Sequence, residues 1–238
     1  DLKGLVTYAN DTFIDISGFD RDELIGKSHN LVRHPDMPPE AFAWLWDTIK
    51  EGRPWRGIVK NRARNGDHYW VDALVVPVRK NNQTTGYMSV RTQPTRDQIA
   101  AAETLYKQLN ATKTGLPRPT AWMRLALRTK LNGLVFGLLA SQILAATSHA
   151  FGPSLGLSPS DVTLVVNVLG ACGIAIGLWL VAMQNQTMSD ISEVTDRLDN
   201  IAQGDLTDEI PLHRVDELGK LSDTVVTMQT HLKSMLAE

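Results

Sequence analysis

The sequence predicts two kinds of architecture in one chain: an α+β domain, an antiparallel sheet with flanking helices, followed by an all-α half. Three observations carry that reading. Residues 131–151 and 162–183 contain no Asp, Glu, Lys or Arg. Short runs of alternating apolar and polar residues flank Asn65-Gly66, a strong hairpin signal. Behind the second uncharged run, Ile191, Val194, Leu198 and Ile201 recur at spacings of 3, 4 and 3, and a second heptad stripe follows.

In chain order, residues 1–95 hold the sheet domain. Short helical pieces come first, over 10–18 and then 37–52, the second entered through Asp36 and Pro38 and stopped at Gly52. Strands are expected over 55–62, 68–79 and 85–92, with the polar Lys80-Asn81-Asn82-Gln83 separating the last two. Helices therefore cover one face of a three-stranded antiparallel sheet. Residues 96–128 read as a linker.

The uncharged runs, inside a hairpin over 129–185, each span roughly 30 Å as helices, the thickness of a bilayer core. Arg118, Arg124, Arg128 and Lys130 crowd the approach, whereas the link 152–161 has no basic residue. The positive-inside rule then places the link outside and both chain ends in the cytoplasm. The first run lies too deep in the chain for a cleaved signal peptide. Asn132, Gln142, His149 and Asn167 read as polar partners across helices or residues near a membrane interface, and are assigned no transport role. Gly133-x-x-x-Gly137 and Gly173-x-x-x-Gly177 offer small-residue faces for close helix approach.

Over 186–238, the first heptad stripe and a second one (Leu218, Leu221, Val225, Met228, Leu232, Met235) flank a break at Gly204 and Pro211. Two such helices have little to pack on alone, so a dimer with four parallel helices is implied.

Composition narrows function. With 238 residues, 43% hydrophobic and 21% charged, the chain has material for a core and is not a disordered segment. A net charge of -2 provides no global basic field, which argues against nucleic acid as a partner. A single cysteine allows neither an intrachain disulfide nor a thiolate zinc site, and no metal site is expected. No phosphate-binding GxxxxGKS loop, HExxH pair or GxSxG elbow is present, so the chain reads as a non-enzyme without catalytic residues.

The local text then points to one family. The runs Asn10-Asp11-Thr12-Phe13, His29 to Pro38 (HNLVRHPDMP), Pro54 to Arg62 (PWRGIVKNR) and Asn65 to Val71 (NGDHYWV) are the carriers, with Asp216-Glu217-Leu218-Gly219 at the head of the last helix. Together with the order sheet domain, linker, membrane hairpin and heptad pair, they resemble the aerotaxis (energy taxis) receptor family of methyl-accepting-type transducers. The resemblance implies a PAS domain binding FAD, a parallel four-helix HAMP coiled coil, a homodimer in the bacterial inner membrane, and output to a chemotaxis histidine kinase and its coupling protein. The family's kinase-control hairpin would follow Glu238, so the chain looks like a sensing half. The start at Leu2–Asn10 resembles the middle of a first PAS strand, and the proline common near the start of the first HAMP helix is missing.

A flavin pocket needs flat apolar walls, donors for a carbonyl edge and a cation for phosphate. Trp46, Trp55 and Trp70 are the expected walls, the resemblance implies a pocket role for these three and for Phe42, and Arg33, His34 and Asp36 are the group before a helix start. Asn10 and Asn61 can each offer a donor and an acceptor to flavin amides. His34 and His68 keep a rival open, a haem- or small-ligand-binding PAS sensor of a membrane histidine kinase. A cysteinyl-flavin photoreceptor is excluded because Cys172 lies in the second membrane run.

Overall fold

The computed structural model describes the chain except Asn82, 114–118, Pro153, Leu155, His213, Ala237 and Glu238. Arg118 of the basic approach, Asn82 of the expected turn and parts of the link at 153 and 155 lie outside the described residues. The chain forms two compact units, 1–118 with 209–213 and 221–238, and 119–208 with 214–220.

The first unit begins with a short pairing in place of a full strand. Leu5 bridges Ser28, and Val6 and Lys27 continue the contact through a 2.9 Å bond. Helix α1 (Asp11–Ser17) is capped by Asn10, whose Oδ1 accepts from the Phe13 amide at 3.1 Å, and closes on Gly18 in the left-handed region. Helix α2 (Arg21–Leu24) and a 3-10 turn at His29–Val32 follow. Helix α3 (Pro39–Lys50) starts after Pro38 with Pro39 in its first turn. The expected entry through Asp36 is thus corrected: its side chain does not cap α3 but takes an ammonium hydrogen bond from Lys60 Nζ at 2.7 Å.

The sheet is β1 (Trp55–Arg62), β2 (His68–Lys80) and β3 (Gln83–Thr92), antiparallel in that order. Asn65-Gly66 makes the first turn, with Gly66 at φ 94° and the Asn65 Oδ1 accepting from the Asp67 amide at 3.0 Å. The register pairs Trp55 with Val75 and Asn61 with Tyr69, and on β3 places Ser89 opposite Val75 and Arg91 opposite Ala73. Because side chains alternate, Trp55, Gly57, Val59, Asn61, Tyr69, Val71, Ala73, Val75, Tyr87 and Arg91 share one face. That inner face packs on Met37, Ala41, Leu45 and Ile49 of α3 and its approach.

Residues expected as linker contain a helix, α4 (Arg96–Thr112), opened by a reciprocal Thr95–Gln98 capping box. It covers the outer sheet face. Tyr106 lies near-parallel to Trp70 (12°, centroids 6.5 Å apart) and donates its hydroxyl to the Ile58 carbonyl at 2.5 Å, while Asn110 donates to the Asp36 carbonyl at 2.8 Å.

The second unit contains a short turn α5 (Ala121–Arg124) and two helices long and apolar enough to cross a membrane, α6 (Leu127–Phe151) and α7 (Pro159–Ala202). Their mean hydropathies are 1.5 and 2.3 over the most apolar windows. Along the seam, Gly173 leaves room for Ser141 and Gln142, and Gly137 faces Ile176; Gly133 and Gly177 face open space. The second uncharged run and the first heptad stripe form one 44-residue helix, since no glycine or proline interrupts the chain between Gly177 and Gly204. The last helix, α8 (Glu217–Leu236), carries the second heptad stripe.

Candidate functional site

The α+β domain gathers its unexplained chemistry between α1–α3 and the inner sheet face. His29 Nε2, Trp55 Nε1, Asn61 Nδ2, Tyr69 Oη and Arg91 Nη1 are all shut from solvent, and none has a hydrogen-bond partner among the described residues. Leaving one buried polar group unsatisfied costs on the order of 1–3 kcal/mol, so five on neighbouring elements mark a place built around something else.

The walls are aromatic. The Trp55 indole is 3% exposed and lies across Gly57, where an added Cβ would come within 2.5 Å of it. Trp44 meets Trp55 edge-on at 5.5 Å. Trp46 makes edge contacts with His29 at 5.5 Å and with Tyr87 at 5.6 Å. Gly4, at φ 78°, passes so close that a Cβ would lie 3.0 Å from both His29 and Trp46.

Cations sit among them. Arg33 stands 4.2 Å over the Phe42 ring and donates to the Met37 carbonyl at 3.1 Å, while its backbone bridges Asn61. Arg91 stands 4.5 Å over Phe13, reaches Ser89 Oγ at 3.4 Å and meets no carboxylate among the described residues; burial lowers its pKa, against a smaller pull from Tyr69. Burial also raises the Tyr69 pKa, opposed by Arg91 and by the Asn61 amide, which lies close without the two orphaned atoms completing a bond.

His29 supplies the complementary polarity. Its Nδ1 lies 3.2 Å from the Gly4 carbonyl, which can only accept, so Nδ1 carries the proton. Burial lowers the His29 pKa, helped by Arg91 and Arg33 and opposed by that carbonyl. In the neutral ring Nε2 is then a bare acceptor on the same side of the domain as Arg91 and Arg33, whose charges reach it.

Of the nine residues singled out in the sequence, five converge here: Arg33, Phe42, Trp46, Trp55 and Asn61. The others lie elsewhere. Asn10 is exposed and caps α1. His34 accepts the Asp36 amide at 3.1 Å through Nδ1 and packs on His68 at 5.8 Å, its pKa lowered mainly by burial. The Asp36 carboxylate is held below its ordinary pKa chiefly by the Lys60 hydrogen bond. Trp70 has the opposite parity to Asn61 and Tyr69 and faces α4 across the sheet, so it does not join this wall. His29, Tyr69, Tyr87 and Arg91 stand with these five without belonging to the nine. Strand alternation from Asn61 and Trp55 through the Asn65-Gly66 turn would have reached Tyr69, but Arg91 needs the β2–β3 register with its shift at Val78 and Arg79.

A separate cleft of about 300 Å³ opens against α4, lined by Asp36, Lys60, Trp70, Tyr106 and Asn110 among others. Its charges are already paired, Lys60 with Asp36 and Lys107 with Glu103, whereas the unsatisfied atoms of this domain lie on the inner sheet face and its covering elements.

Two family models match the chain. Residues 6–91 match the PAS fold and residues 183–234 match the HAMP domain, so the chain carries a PAS-fold domain and a HAMP domain with the apolar helix pair between them. Over 232 residues, 92% of its length, it is 40% identical to the aerotaxis receptor of Escherichia coli strain K12, and it is a relative of that receptor spanning 43% of the receptor's length. The nitrogen fixation regulatory protein of Klebsiella pneumoniae is 33% identical over 78 residues, 33% of this chain and 16% of that protein. Among solved structures, the dark state of the blue-light photoreceptor Aureochrome1 LOV covers 44% of this chain and 75% of its own, at 21% identity and a TM-score of 0.37.

Proposed function

We propose that this chain is the sensing part of a membrane-anchored redox sensor for aerotaxis, with FAD held non-covalently in the PAS chamber and its state passed to HAMP. The observation that carries the reading is the set of five buried, unpartnered polar atoms on the inner sheet face. Their polarity fits a flavin, whose pyrimidine edge presents carbonyl acceptors on either side of an N–H. Trp55, Asn61 and Arg91 bring donors, Tyr69 brings a hydroxyl that does both, and His29 Nε2 brings the acceptor. Phe42, Trp46, Trp55 and Tyr87 supply the flat walls. Arg33 and Arg91 add positive charge suited to phosphate or to an electron-rich ring.

Bound there, FAD would supply reversible electron uptake with a change of charge and protonation. The chain's own residues hold and shield the site. His34 and Asp36 fix the turn that carries Arg33, and Asn10 fixes the start of α1 under which Arg91 stacks on Phe13. Output is supported by contacts within the first unit: Arg53 pairs with Asp223 of α8 at 3.2 Å, and Arg56 pairs with both Asp72 and Glu209. Arg56 and Asn61 share strand β1, so a displacement of the strand at the chamber is felt at these pairs.

In this reading 1–95 is the PAS sensor, 96–128 the linker with α4, 129–185 the membrane hairpin and 186–238 the HAMP domain. The protein is a homodimer in the bacterial inner membrane with both ends cytoplasmic. Its output partners are a chemotaxis histidine kinase and coupling protein. The absorbance spectrum of the purified protein tests the cofactor: flavin bands near ~450 nm and FAD in the heat-released extract are expected, and a haem Soret band or a colourless protein overturns the reading. Single cysteines test the topology. Ser154→Cys should label from outside the cell and Thr112→Cys should not; the reverse rejects a cytoplasmic sensor.

A further inference from the structure

We infer that residues 119–128, together with Trp179, form a binding site for anionic phospholipid headgroups at the cytoplasmic face of the membrane. The inference rests on the proposed hairpin topology. Trp122, Met123 and Leu125 are 44%, 42% and 40% exposed, a row of large apolar side chains left facing outward. Arg124 and Arg128 are also exposed, and neither side chain has an ion pair or hydrogen bond among the described residues. Lys130 is buried instead, 3.4 Å from both Asp216 and the Met123 carbonyl.

Two features fix the occupant as lipid. The segment runs straight into α6, which begins at Leu127 and is long and apolar enough to cross a bilayer, so its row of apolar side chains meets the membrane boundary. Trp122 also packs on Trp179 of α7 at 5.6 Å, placing two indoles at one level of the hairpin, as in an interfacial aromatic belt. The charge matches: no Asp or Glu occurs between Glu103 and Asp161. The acids that approach from elsewhere are committed, Asp216 to Arg214 and Lys130, and Glu217 to the Leu127 amide at 2.7 Å. Two free guanidinium groups beside an apolar row can take a phosphate diester bidentately while the row enters the acyl boundary. A soluble anion would use the arginines and leave the indole, thioether and leucine in water.

The test uses the full chain carrying Cys172→Ala, with an NBD fluorophore on Leu125→Cys or, as a bilayer control, on Ile143→Cys. Nanodiscs contain phosphatidylcholine with 20% phosphatidylglycerol, and one of the two lipids carries a nitroxide at equal mole fraction. At position 125, nitroxide phosphatidylglycerol should quench several-fold more than nitroxide phosphatidylcholine, since each arginine near the surface enriches anionic lipid about fivefold. The double substitution Arg124→Gln and Arg128→Gln should equalise the two lipids at 125 and leave position 143 unchanged. Equal quenching at 125 in the chain retaining both arginines overturns the headgroup site. No quenching at 125 with normal quenching at 143 means the segment lies in water or under protein, and also overturns it. No quenching at either position rejects the hairpin in the bilayer, and this inference with it.

Discussion

The two faces of the PAS sheet are built from the same three strands and treat their polar groups in opposite ways. On the outer face every strong polar group named finds a partner: Lys60 with Asp36, Arg56 with Asp72, and the Ile58 carbonyl with Tyr106 of α4. On the inner face Trp55, Asn61, Tyr69 and Arg91 keep atoms without one among the described residues. Burial alone does not separate them, since Lys60 is 9% and Asn61 is 3% exposed. The lesson is that the face closed by α4 satisfies its donors within the chain, whereas the inner face, where we propose the flavin, leaves them open.

That contrast can be broken by mutations placed on each side. The largest effect on cofactor is expected at the inner face: Arg33→Ala or Asn61→Ala should weaken flavin retention about 10–100-fold, the loss of one or two charge-assisted or buried hydrogen bonds. Flavin per protein after gel filtration reads this, and full occupancy in both variants would remove the chamber as the binding site.

Trp70→Ala should do the reverse. It should lower the melting stability of the sheet domain by about 2 kcal/mol, through lost packing on Tyr106, while flavin content stays within twofold. A colourless but well-folded variant would instead bring Trp70 back to the flavin and erase the distinction between the faces.

Tyr106→Phe sharpens the outer-face account through pH. Burial pushes the Tyr106 phenol up to about 12. Its contribution is fully present below the unfolded value of about 10 and is lost as pH rises from there through the folded value. The native protein should lose on the order of 1–2 kcal/mol across that window beyond what the phenylalanine variant loses, discounting for partial exposure. Identical alkaline unfolding curves would show that the hydroxyl carries no such weight.

Asn110→Ala should have the smallest effect, about 0.5–1 kcal/mol from its bond to the Asp36 carbonyl, with faster amide exchange confined to α4. Exchange that also rises over β1 would mean that α4 and the sheet unfold as one unit.

Local signals carried much of this chain. β1 follows the expected span residue for residue, because an Asn-Gly turn and alternation are short-range statements. The uncharged runs likewise needed no partner to be read, since chain length and transfer energy set the requirement for a bilayer. Local text also contains the signal for the helix inside the linker, where Thr95 and Gln98 form the capping box of α4. The Asp36 cap failed for another reason: two prolines at 38 and 39 set where α3 begins, and Lys60, 24 positions away, claimed the carboxylate.

Tertiary structure alone decided which of the candidate side chains meet. Trp55 and Trp70 are equally plausible walls in one dimension, yet odd and even positions of paired strands point to opposite faces. Residue type and order determined the elements, their caps and the membrane-length runs, because those depend on neighbours a few positions apart. The bare acceptor on His29, the uncompensated charge of Arg91 and the orphaned amide of Asn61 depend on groups brought together from residues 4 to 91, and whether a polar atom is satisfied is a property of the folded surroundings, not of the residue.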